Sequence, residues 1–140
     1  MDLEAIDPVA TRKAIDAFAP RYDLELLLQF GSTVTGREHP RSDLDIAALA
    51  RRELDSSEYA SLAAALADVF PSRRVDLALI RHADPLFLKK VTEACVLLWG
   101  EPRRLAELKM QALARFQDYR GFLLMERRYV EGRLGGTESA

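Results

Sequence analysis

Four groups in this sequence have the type and spacing to do chemistry. Gly31-Ser32 is followed, after ten residues, by Asp43-Leu44-Asp45, and a third aspartate, Asp76, comes later. Side chains alternate across a strand, so Asp43 and Asp45 project from one face and Leu44 and Ile46 from the other. Two carboxylates held side by side repel and raise one another's pKa, a cost that an intervening cation removes. A donor set of oxygen alone selects a hard ion such as Mg2+, which takes its remaining ligands from water and substrate phosphates. If the strand carrying Asp76 lies beside the first, the three acids converge into the kind of cluster that two-metal phosphoryl or nucleotidyl transfer requires. Gly31 lets the chain turn sharply and approach a ligand, and the amides after it present partial positive charge. Ser32 adds a hydroxyl donor, Ser42 braces the loop ahead of Asp43, and Arg37 and Arg41 counter the charge of a bound polyphosphate.

The elements that must position these groups alternate between helix and strand. Asp7-Pro8 opens a helix that Pro20 ends, with Val9, Ile15 and Phe18 near one face. Tyr22 to Phe30 reads as a strand, with Leu24, Leu26, Leu28 and Phe30 on one side and Glu25, Leu27 and Gln29 on the other. A polar loop leads to a second strand from about Asp43 to Ala50. Asp55 or Ser56 caps a helix through Phe70, and Val75 to Ile80 forms a third strand with Asp76 opposite Val75, Leu77 and Leu79. Asp84-Pro85 starts a helix to about Glu93, Val96 to Trp99 is a short edge strand, and a long helix runs from Pro102 to about Arg133. The expected organisation is one domain over 1–134, with its last helix from about 102, and a frayed tail over 135–140.

Composition narrows the class. The chain has 140 residues, 49% hydrophobic and 30% charged, the balance of an ordinary globular domain. Its longest uncharged stretch, Leu26 to Gly36, is far shorter than the roughly 20 residues of a membrane span. The acidic start, Met1-Asp2-Leu3-Glu4, lacks the pattern of a secretory signal, so a cytoplasmic location is expected. One cysteine, Cys95, is expected as a buried thiol, and two histidines without a second cysteine argue against a structural zinc site. Net charge is -2, with 13 acids against 7 bases in residues 1–70 and 5 against 8 in residues 103–140. That balance disfavours a globally basic nucleic-acid binder and leaves room for a local basic face near the C-terminus.

At Phe30-Gly31-Ser32, Gly36-Arg37, Ser42-Asp43-Leu44-Asp45-Ile46 and Val75-Asp76-Leu77 the chain resembles the nucleotidyltransferase superfamily typified by DNA polymerase beta. In size and spacing it is similar to the MntA-type minimal nucleotidyltransferases, antitoxins paired with HEPN-domain ribonuclease toxins. The resemblance implies an α+β fold, a small mixed sheet packed by helices with a long C-terminal helix. It implies transfer of AMP from ATP onto a tyrosine of the toxin, which silences the toxin, and a hetero-oligomer of the two proteins. Gly31 and Ser32, with Arg37 and Ser42, would hold the nucleotide. Asp43 and Asp45 would ligate two Mg2+ ions, and Asp76 would ligate one and help activate the tyrosine hydroxyl. Two other readings stand beside it: a small-molecule nucleotidyltransferase of the aminoglycoside-modifying kind, and a catalytically silent antitoxin that only binds its partner.

Overall fold

Aspartates cap three of the helices. The computed structural model describes residues 7–31, 34 and 43–138, with side chains through 133. Asp7 accepts the Val9 amide at 3.0 Å and starts α1 (Pro8–Asp16). Asp55 and Glu58 form a reciprocal capping box on α2 (Ser56–Val69), each side chain bonding the other's backbone amide. Asp84 accepts the Phe87 amide at 2.9 Å and starts α3 (Pro85–Glu93). The last helix, α4 (Pro102–Glu138), continues past residue 134, where a tail was expected. A short 3-10 turn, Ala19–Tyr22, follows α1 in the segment that Pro20 was expected only to end.

Four strands, β1 (Leu24–Phe30), β2 (Leu44–Ala50), β3 (Val75–Leu79) and β4 (Val96–Gly100), form one sheet in the order β3-β2-β1-β4. β1 runs antiparallel to β2 and β4, whereas β2 and β3 are parallel. Parallel neighbours need a crossover, and α2 provides it. The result is the α+β fold with a four-stranded mixed sheet that the motifs implied.

Both faces of the sheet are covered. One carries Leu24, Leu27, Leu44, Ile46 and Ala48 against Ile15 of α1 and Leu62 and Leu66 of α2. The other carries Leu26, Leu28, Phe30, Ala47 and Leu49 against Leu88 and Val91 of α3 and Leu108 and Ala112 of α4. A strand buried on both sides explains the unbroken Leu26-Leu27-Leu28 run. Strict alternation along β1 fails at one place. The register to β2 shifts between Leu24 and Leu26, and this irregularity puts Leu24 on the side of Leu27, not with Leu26 and Leu28 as expected. Val9 also departs from expectation: it is 76% exposed, and Thr11 with Ile15 makes the inward face of α1. Cys95 is half-buried and not fully enclosed. Among the described residues, no helix is long and apolar enough to cross a membrane.

Candidate active site

The site forms where β1 ends beside the beginnings of β2 and β3. Phe30, the last residue of β1, lies opposite Asp45, and Asp45 lies opposite Asp76 in the parallel register. Two further bonds fix the strands at this end. The Leu44 amide donates to the Arg74 carbonyl at 2.7 Å, and the Tyr59 hydroxyl of α2 donates to the Leu77 carbonyl at 2.6 Å. Asp45 and Asp76 share the sheet face of Ala47 and Ala78, the side covered by α3 and α4.

Gly31 turns the chain away from β1 with φ of +83°, and the Val34 amide bonds its carbonyl at 3.1 Å. The space above its Cα belongs to Asp45: a Cβ on Gly31 would stand 2.2 Å from Asp45 Oδ2. Glycine is therefore required twice, for the backbone angle and for the carboxylate.

Electrostatics report the same crowding. Burial pushes the Asp45 carboxyl above its ordinary value, and the charges of Asp76 and Asp43, together with a hydrogen bond that protonated Asp45 donates to Asp76, push in the same direction. Among the described residues, the charge of Lys90 of α3 opposes them. The three predicted acids are thus brought close enough to interact, with Asp45 at their centre. Among the described residues, no three carboxylate, imidazole or thiol groups enclose a metal position by themselves. An oxygen-only cluster whose members repel suits a hard divalent ion that draws its other ligands from water and phosphate. Ser32, Arg37, Arg41 and Ser42 lie outside the described residues.

The sequence reading missed Lys90. It stands beside Lys89 in a helix with two adjacent lysines, and nothing local distinguishes the one whose charge acts on Asp45.

The sequence profile of the polymerase beta nucleotidyltransferase family matches residues 12–104, which contain the acids, Gly31, Lys90 and all four strands. The chain belongs to that family. Within it, the protein adenylyltransferase MntA of Shewanella oneidensis is 39% identical over 77 residues, a segment that spans 55% of this chain and 55% of that relative. The matched segment is thus about half the length of the curated relative. A toxin–antitoxin structure solved with AMP-PNP is similar at 27% identity and a TM-score of 0.66, covering 88% of this chain and 97% of that one. A mutant toxin–antitoxin complex, MntA–HpeT, is similar at 26% identity and a TM-score of 0.68, covering 91% and 98%.

Proposed function

We propose that this protein is a magnesium-dependent protein adenylyltransferase that acts as the antitoxin of a HEPN ribonuclease toxin, transferring AMP from ATP to a tyrosine of that partner. The observation that carries the reading is the pairing of Asp45 with Asp76 across β2 and β3, with Asp43 beside them and Gly31 folded against Asp45. The activity printed for the MntA relative and the AMP-PNP in a similar toxin–antitoxin structure support the choice of acceptor and donor. The mutant complex similar to this chain carries glutamate in place of two aspartates spaced two apart, the spacing of Asp43 and Asp45.

In this reading Asp43 and Asp45 hold two Mg2+ ions and Asp76 contributes to one. Bound there, the metal neutralises the phosphates and acidifies the attacking hydroxyl. The protein's own groups do the rest. Gly31 lets the nucleotide phosphates approach the sheet end, and Ser32, Arg37 and Ser42 complete their binding. Asp76, exposed on β3, receives the tyrosine proton. A bond forms between the phenolic oxygen and the α-phosphorus, and the bond from that phosphorus to the bridging oxygen breaks. The bridging oxygen leaves with the electron pair as pyrophosphate. Such a transfer depends mainly on positioning and charge neutralisation, which a small domain can supply. The catalytic unit is residues 1–134, and its setting is the cytoplasm.

The test is to incubate the protein with ATP, Mg2+ and the product of the adjacent gene, and to weigh the partner intact. A gain of one or more AMP masses, absent with Asp43→Ala or Asp45→Ala, is the expected result. An unchanged partner mass with AMP appearing on an aminoglycoside would replace this reading by the small-molecule one. Inhibition of the toxin without any mass change would replace it by stoichiometric blocking.

A further inference from the structure

Three observations converge on Lys90. First, α3 is pinned over the site end of the sheet: the Phe87 ring meets the Phe30 ring edge to face, 5.8 Å between centroids, and Phe30 is the residue opposite Asp45. Leu88 and Val91 anchor the same helix in the core, so its position is fixed by packing. Lys90 is one turn on from Phe87, on neighbouring faces of a 3.6-residue helix, and it is exposed. Second, two neighbouring cations of α3 and α4 are engaged elsewhere. Lys89 pairs with Glu93 and sits over the Phe116 ring at 5.0 Å, and Arg115 donates to the Ala83 carbonyl at 2.9 Å. Among the described residues, Lys90 has no hydrogen bond or ion pair. Third, the sheet face that α3 covers is the one that carries Asp45 and Asp76, so Lys90 rises from the helix that lies over the acids.

From this placement we infer that Lys90 binds the β and γ phosphates of the nucleotide and steadies the pyrophosphate as it leaves. The inference rests on the proposed transferase reading and adds a substrate-binding residue to it. Three acids face the phosphorus that is attacked, so the phosphates that do not react draw on cations outside the cluster, and Lys90 adds one from the α3 side to the loop arginine Arg37. A lysine ammonium is a compact point charge on a flexible stem, suited to follow a phosphate whose charge increases during the reaction. Its position on a helix anchored through Phe87 places that charge beside the acids without displacing any of them.

Calorimetric titration of the full chain with AMP-PNP, pyrophosphate and AMP in the presence of Mg2+ tests this without the partner. Lys90→Ala is expected to weaken AMP-PNP and pyrophosphate about ten- to a hundredfold, to leave AMP within about twofold, and to be largely rescued in Lys90→Arg. Lys89→Ala, which removes an outward pair, is expected to bind all three like the parent. Parental affinity for AMP-PNP in Lys90→Ala overturns the inference. So does an equal loss for AMP, which would make Lys90 a support for Asp45. A parent chain that binds none of the three overturns the transferase reading with it. A parent that binds nucleotide but modifies no partner overturns the choice of acceptor and leaves Lys90 standing.

Discussion

Gly31, just past the end of β1, leaves room for the carboxylate of Asp45 on β2: the hydrogen that a side chain on Gly31 would replace points at Asp45 Oδ2. The glycine of the motif therefore serves the acid as much as the phosphate. Gly31→Ala is expected to displace the Asp45 carboxylate and abolish AMP transfer. It is also expected to destabilise the fold by more than about 1 kcal/mol, because alanine is strained at this positive φ. Transfer rates and urea midpoints measured on one preparation check both parts. Parental transfer by the alanine variant would mean that Asp45 need not sit where it does.

Asp45 should make stability depend on pH in a definite direction. Its folded-state pKa is raised above the ordinary 3.8, by burial first and then by Asp76 and Asp43. As pH rises through 3.8 the unfolded chain releases this proton first, while the folded chain keeps it until the higher value is passed. Stability is therefore lost across that window and stays lost at neutral pH. Asp45→Asn, which cannot ionise, is expected to be more stable than the parent at pH 7 in chelator, with the gap closing below pH 3.8. Mg2+ is expected to stabilise the parent and not the variant. Urea denaturation at both pH values, with and without Mg2+, provides the comparison.

Much of this arrangement was legible in the sequence, for physical reasons that can be named. Asp45 and Asp76 share a face because strand geometry has a period of two and their apolar neighbours point the other way, and Asp43 lies close enough for its charge to act on Asp45. Asp7, Asp55 and Asp84 cap helices where expected because the cap interaction is local. The failures lie where the deciding contact is distant. The irregularity that turns Leu24 away from Leu26 arises from pairing between β1 and β2, and no residue in β1 announces it. Val9 fits the apolar face of α1 by spacing, yet among the described residues nothing buries it. Lys90 comes near the acids through a distant contact, the packing of Phe87, three residues earlier, on Phe30 of β1.

Leu27 and Leu28 provide a test of the two-faced core. Both are wholly buried, Leu27 toward α1 and α2 and Leu28 toward α3 and α4. Each replaced by alanine is expected to cost about 2–5 kcal/mol. Since the two side chains line separate clusters, the double variant is expected to lose close to the sum of the single losses. Strong non-additivity in equilibrium denaturation would show that the clusters behave as one.

The far half of α4 presents a different balance. Its near half is anchored by Leu108 and Ala112, but every described side chain from Phe122 to Arg133 is exposed, including Phe122 at 61% and Met125 at 71%. Exposed apolar side chains in such a run contribute almost nothing to the free chain's stability and favour association. Truncation after Arg120 is therefore expected to change the unfolding free energy by less than about 1 kcal/mol and to leave nucleotide affinity intact, because the site lies on the sheet. The shortened chain should also self-associate less at high concentration. Thermal unfolding, nucleotide titration and sedimentation measure the three effects separately. A loss of several kcal/mol on truncation would show that these residues pack against the body of the protein.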